Sequence, residues 1–174
     1  EGRRVLNQLE SRAVLRAFNI PVNPIQIART PNEALVAAES VGFPVVLKIN
    51  SPDIVHKADV AGVTLNVINA PAVRSAYKKM IEDVQAQCPD ARLDGVIVEH
   101  MVTSNANREL LLGIKSDSVF GPVIVFGHGG SMVEILKDIA ISLPPLNSLL
   151  ASALVDSPNV SRMLKHYHNM PAAN

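Results

Sequence analysis

The sequence contains no tryptophan, only two tyrosines and four phenylalanines, and a single cysteine, Cys88. A lone thiol excludes an internal disulfide and a cysteine metal cage, and it fits a cytoplasmic setting. Scarce aromatics argue against a base-stacking surface. Excess charge of one sign is also missing. Sixteen basic residues face 16 acidic ones, so nothing draws the chain toward nucleic acid or anionic lipid. No apolar run approaches the roughly 20 residues needed to span a bilayer, and the charged start EGRRVLNQLESR is no secretory leader. Neither nucleic acid nor a membrane is therefore expected as a partner. The phosphate loop G-x-x-x-x-G-K-[ST] and the dinucleotide fingerprint G-x-G-x-x-G are absent, so a nucleotide site here must come from another architecture.

What remains is a chain of 174 residues, 48 % of them apolar, long enough for one ordinary domain or two small subdomains. It begins without Met and stops at NMPAAN, and the expectation is a piece excised from a larger protein. Val5, Leu9, Leu15 and Phe18 predict an amphipathic helix over 3–18. NIPVNPIQIA predicts a turn and a short strand. Thr30 as N-cap, Pro31 in the first turn, Glu33 completing a capping box and Gly42 as terminator predict the next helix. Strand PVVLKI, a polar loop and strand GVTLNVI follow. A helix starting near Pro71 aligns Val73, Tyr77, Met80, Ile81 and Val84, and ends before Pro89. GVIVEHM, ELLLGIK and PVIVFG read as three strands in close succession, the last two a hairpin through SDSVFG. SMVEILKDIAISL fits neither period cleanly. Asn147 caps a helix to Val155, and a last helix is expected from Pro158 to about His168. The fold class is α/β, built of two α+β lobes meeting near residue 98.

Chemistry concentrates in PVVLKINSPDIVHKADVAGV, residues 44–63. Strand alternation puts Val46, Lys48 and Asn50 on one face. A lysine in an apolar strand either points to solvent or supplies charge to a site, and a phosphate is then its natural partner. His56 sits in the following loop with Asp53 and Asp59 three residues away on either side. It is either a solvent-exposed side chain or a base, metal ligand or nucleophile. Gly62, with Ala58 and Ala61, lets that loop approach a ligand closely. GHGG, 127–130, either presents backbone N–H groups to an anion or simply makes a tight turn. Glu134 and Asp138, four apart, share a face if helical and could hold a divalent cation, or form a solvated acidic face. Glu109, where strand LLLGIK begins, is a candidate partner for a lysine. His166 and His168 are too sparsely supported for a metal site.

SPDIVHKADVAGV, GVIVEHM, GIKSDSVFGPVIVFGHGG and VEILKDIAISLPPLN together resemble, in order, the motifs of the ATP-grasp domain of NDP-forming acyl-CoA synthetases. The resemblance implies an N-terminal lobe over 1–97 and a partial C-terminal lobe over 98–174, incomplete at its C-terminus, with ATP or ADP held between them. It implies that Lys48 contacts the nucleotide phosphates, that Glu99, His100 and Met101 form the hinge whose backbone reads adenine, and that His56 carries a phosphoryl group. Lys57, Gly62, Glu109, Gly129 and Gly130 are grouped with that nucleotide site from the reading of the residues, and Glu134 and Asp138, from their spacing, stay the metal candidates. The implied partners are nucleotide, Mg2+ and a CoA-binding domain, and an oligomer is left open. Two departures stand out. Ala61-Gly62 replaces the usual Gly-Gly, and SLPPLN looks more like relatives fused to an acetyltransferase domain. The expected function is therefore the regulatory region of a protein lysine acetyltransferase. The alternative is part of a catalytic ADP-forming synthetase. The family's Asp/Glu-x-Asn-Pro-Leu segment is missing, which puts most magnesium ligands outside the chain and implies that it does not run a complete synthetase reaction alone.

Overall fold

The structure is a computed structural model that describes residues 6–102, 108–130, 133–166 and 171–173. The chain divides into two compact units, Glu1–Val102 and Thr103–Asn174. Each is a mixed α/β body with an antiparallel sheet, as the two-lobed α+β reading expects.

In the first unit, α1 (Gln8–Ala17) starts where Asn7 and Glu10 make a reciprocal capping box, a firmer start than the apolar spacing over 3–18 indicated. Strand β1 (Ile25–Ala28) leads into α2 (Pro31–Val41). The Thr30 hydroxyl accepts the Glu33 N–H, but the Glu33 carboxylate reaches past the cap to the Arg29 N–H at 2.8 Å. The expected box is therefore displaced by one residue. Gly42 ends the helix at φ 84, a conformation open to glycine at little cost.

Strands β2 (Val45–Ile49) and β3 (Val63–Val67) form a hairpin around the polar loop, and α3 (Ala70–Gln87) returns the chain to β4 (Val96–His100). The sheet order is β1-β4-β2-β3, antiparallel throughout, so GVIVEHM is an inner strand of this first sheet. A register shift interrupts the β2–β3 pairing. Asn66 sits there at φ 55, and its N–H turns to the Met101 Sδ instead of the ladder. Alternation gives the sheet two unlike faces. Val45, Leu47, Ile49, Val96 and Val98 pack with Ala34, Ala37 and Ala38 of α2 and Val73, Tyr77, Met80 and Val84 of α3. The opposite face carries Val46, Lys48, Ile97 and Glu99.

The second unit is built on β5 (Leu110–Asp117), β6 (Gly121–His128) and β7 (Ile139–Ser142), in that order. The Asp117 carboxylate accepts the Val119 and Phe120 N–H groups in the β5–β6 turn. α5 (Ser148–Asp156), capped by Asn147, supplies Leu154 to a small core with Phe126 and Val160. The stretch left ambiguous by its periodicity is a short helix, α4 (Val133–Leu136), followed directly by β7. α6 is only Ser161–Leu164, because Lys165 is extended at φ −78, ψ 162. His168, in the rest of the expected final helix, lies outside the described residues. No helix among the described residues is long and apolar enough to cross a membrane.

Candidate functional site

Lys48 is the charged residue of an otherwise apolar strand, and Glu99 plays the same part in β4. Val46 lies opposite Glu99 and Lys48 opposite Ile97, so both charges emerge on the face away from α2 and α3. There the Lys48 ammonium donates to Glu99 Oε1, and Arg12 of α1 donates to Glu99 Oε2 at 2.5 Å. Arg12 also donates to the Asn23 carbonyl. Glu99 is only 5 % exposed. A carboxylate buried to that degree is costly unless paired, and the two cations from separate elements provide the pairing. Reading the sequence identified Lys48 but missed Arg12, and it assigned Glu99 to a hinge by its backbone alone.

The β2–β3 loop is fastened at several points. The Ser51 hydroxyl accepts the Asp53 N–H, and the Asp53 carboxylate accepts the Arg92 N–H at 2.8 Å. Asp53 is thus a loop anchor. His56 is exposed at the head of a 3-10 turn, Lys57–Val60. Among the described residues its side chain makes no hydrogen bond or ion pair. Ala61 closes the turn in the left-handed region at φ 55. A Cβ on Gly62 would lie 2.6 Å from Ile49 Cγ2 and 2.8 Å from the Lys57 carbonyl oxygen. Gly62 is accordingly required by packing within the hairpin.

Lys57 is half-buried and makes no ion pair among the described residues. Burial, followed by the nearby positive charge of Lys48, pulls its ammonium below the usual lysine value of 10.5. Charging it therefore costs more in the fold than in the unfolded chain. That cost acts fully below the depressed pKa and fades as pH rises toward 10.5. Lys57→Met is expected to be more stable than wild type at pH 7, with the advantage narrowing by pH 10. Urea unfolding at both pH values reads the difference. A constant or inverted difference would show that the strain on Lys57 is absent. Beside Lys57 opens a cavity of about 360 Å³, also lined by Asn7, Gln8, Ser11, Asn50 and Ser51.

In the expected hinge segment, the Met101 N–H donates to the Pro44 carbonyl at 2.8 Å, and His100 Nδ1–H donates to the Gly42 carbonyl at the same distance. These bonds fix the end of β4 against the start of β2. In the second unit, the Gly129 N–H donates to the Glu109 carbonyl and the His128 N–H to the Asp138 carbonyl. Those donors are engaged within the sheet. The Glu109 side chain lies against Gly130 and forms no ion pair with a lysine among the described residues.

The expected shared helical face of Glu134 and Asp138 does not form. α4 ends at Leu136, and Lys137 turns the chain at φ 47 before Asp138. The Asp138 carboxylate instead accepts the Asn159 and Val160 N–H groups at 2.8 and 2.6 Å. The Glu134 side chain lies outside the described residues. Among the described residues no group of three His, Cys, Asp or Glu side chains is arranged to hold a metal.

A sequence model of the ATP-grasp domain matches residues 1–174. The ADP-forming acetate–CoA ligase I of Archaeoglobus fulgidus is 43 % identical over 164 residues, which cover 94 % of this chain and 23 % of that protein. The beta subunit of the ADP-forming acetate–CoA ligase I of Pyrococcus furiosus is 38 % identical over 143 residues, 82 % of this chain and 61 % of the subunit. The chain thus spans about a quarter of the first relative and under two thirds of the second. The dinucleotide forming acetyl-coenzyme A synthetase 1 of Ca. Korarchaeum cryptofilum, solved with coenzyme A, Ca-AMPCP and HgCl+, matches with a TM-score of 0.92 at 34 % identity, over 99 % of this chain and 75 % of that one. With its antiparallel sheets, its charged β2–β4 face and these relatives, the chain belongs to the ATP-grasp domains of the NDP-forming acetyl-CoA synthetase family.

Proposed function

We propose that this chain is the nucleotide-binding part of an ADP-forming acyl-CoA synthetase, the enzyme class that interconverts acyl-CoA, ADP and phosphate with the free acid, CoA and ATP. The observation that carries the reading is the placement of Lys48 on a rigid inner strand, with Lys57 near enough to feel its charge and His56 adjacent on the connecting loop. An ammonium on a strand holds an anion at a defined place. Phosphoryl transfer depends chiefly on such positioning and charge stabilisation.

In this reading Lys48 and Lys57 hold the phosphates of ATP or ADP, the hinge Glu99-His100-Met101 receives the base, and His56 carries the phosphoryl group. Toward ATP, the N–P bond on the imidazole breaks as an O–P bond forms to the terminal oxygen of ADP. Glu109, Gly129 and Gly130 belong in this reading to the partial C-terminal lobe. Support for a histidine carrier comes from the Korarchaeum synthetase, which has also been solved with Mg-AMPPCP and a phosphohistidine segment pointing towards the nucleotide binding site. Magnesium would accompany the nucleotide, with ligands supplied from outside the described residues. A CoA-binding domain is the implied partner.

The relatives named above are CoA ligases or their subunits, and none of them is an acetyltransferase. The regulatory-region expectation drawn from SLPPLN gives way to the synthetase reading for that reason. The test is calorimetric titration of ADP and ATP into the full-length protein and its Lys48→Ala variant. Loss of one clamping charge is expected to weaken ADP about tenfold to a hundredfold, the order of a charge-assisted contact to phosphate. Equal affinity in both proteins would remove Lys48 from the phosphate site and the reading with it.

A further inference from the structure

The Lys48 ammonium is held by Glu99, and a phosphate would compete with that carboxylate for it. One carboxylate oxygen is held by Lys48 and the other by Arg12 at 2.5 Å. Were Lys48 its sole partner, drawing the lysine away would strand a carboxylate that is only 5 % exposed. A buried charge deprived of its partner is strongly unfavourable. Arg12 removes that difficulty in three ways. It belongs to α1, not to the strands that carry Lys48 and Glu99. It binds the oxygen that Lys48 does not use, and its second amino nitrogen is braced on the Asn23 carbonyl. Its guanidinium also stays charged at every working pH.

We propose that Arg12 is a positioning residue for nucleotide binding: it keeps Glu99 compensated, so that Lys48 can exchange the carboxylate for a phosphate. The proposal rests on the reading of Lys48 as a phosphate ligand and extends it to α1. Glu99 then has two roles, as the competitor that a phosphate displaces from Lys48 and as a fixed partner of Arg12 throughout.

The test is a double-mutant cycle on ADP affinity in the full-length protein, with Arg12→Gln, Glu99→Gln, the pair together and Lys48→Ala. Arg12→Gln is expected to weaken ADP about tenfold or more, because releasing Lys48 now exposes an unpaired buried acid. In the Glu99→Gln background, with no charge left to compensate, the same Arg12 substitution is expected to change affinity by less than about twofold. An equal loss in both backgrounds overturns the proposal, and a role confined to docking α1 through this ion pair predicts instead that Glu99→Gln weakens ADP as Arg12→Gln does. Glu99→Gln alone gives a second arm that does not depend on Arg12→Gln folding. It removes the competitor for Lys48 and is expected to tighten ADP, whereas weaker binding overturns the proposal. If Lys48→Ala leaves ADP affinity unchanged, the phosphate reading fails and this one falls with it. If Lys48→Ala weakens ADP while positions 12 and 99 prove uncoupled, only the role of Arg12 is lost.

Discussion

His56→Asn in the full-length protein is expected to abolish phosphoprotein formation and to lower kcat for acyl-CoA-dependent ATP synthesis by about a thousandfold or more, as removal of a covalent carrier does. The same substitution is expected to leave stability within about 0.5 kcal/mol of wild type, the usual range for an exposed site. The contrast follows from the geometry. His56 is exposed, heads the turn Lys57–Val60, and makes no side-chain hydrogen bond or ion pair among the described residues. The loop is held instead by Ser51, Asp53 and the Gly62 N–H, which donates to the Lys57 carbonyl at 2.8 Å. On the proposed reading, deleting the imidazole thus removes the reacting atom and little of the scaffold. Radiolabel transfer from ATP and steady-state rates, alongside a urea curve, separate the two effects. Retention of the rate within tenfold of wild type would leave His56 a surface histidine, and acyl transfer would then have to proceed without a carrier at this position.

Much of this arrangement was legible in the sequence because it is local. Short apolar runs in 45–49 and 96–100 and the period of Val73, Tyr77, Met80 and Val84 point to strands and a helix. Thr30 and Asn147 each cap a helix through the backbone N–H three residues on, a signal confined to four residues. The Arg12–Glu99 pair joins positions 87 apart, and no spacing rule reaches that far. A weaker signal did exist. β2 and β4 each hold one charge of opposite sign among apolar residues, and two such strands favour pairing because either charge alone is costly to bury.

Glycine was read less well. Gly62 and Gly129 fitted a loop that cradles an anion, yet both are explained by neighbours where a Cβ would intrude, Ile49 for one and the Glu109–Leu110 backbone for the other. The β7 segment hid for a different reason. Ile139 and Ile141 are largely exposed, so its apolar alternation does not mark the face toward the small core, where Ala140 packs. Helical and extended readings were left equally supported.

Gly95→Ala is expected to destabilise the first unit by about 2–5 kcal/mol, combining about 1–2 for an L-residue forced to positive φ with about 1–3 for overpacking. Gly95 has φ +109, and an added Cβ would lie 2.3 Å from the Ala28 carbonyl oxygen and 3.3 Å from Arg29 Cα. Both obstacles are backbone, so no rotamer change relieves the overlap. Gly95 also leads into β4 between β1 and β2, with its carbonyl accepting the Asn50 N–H at 2.9 Å. Relief by shifting β4 would break that bond and slide Glu99 away from Lys48 and Arg12. The loss of stability is therefore expected to reach the charged face as well, because one strand carries both the core face and the acid paired with Lys48. Gly113→Ala in β5 is the matched control. No atom lies within 4 Å of its added Cβ, and reduced freedom of the unfolded chain favours a gain of about 0.4–1 kcal/mol. Urea unfolding of the two variants checks the contrast. A Gly95→Ala protein as stable as wild type would mean that β4 can move without penalty, and the rigid placement of Glu99 opposite Val46 would no longer account for how Lys48 is held.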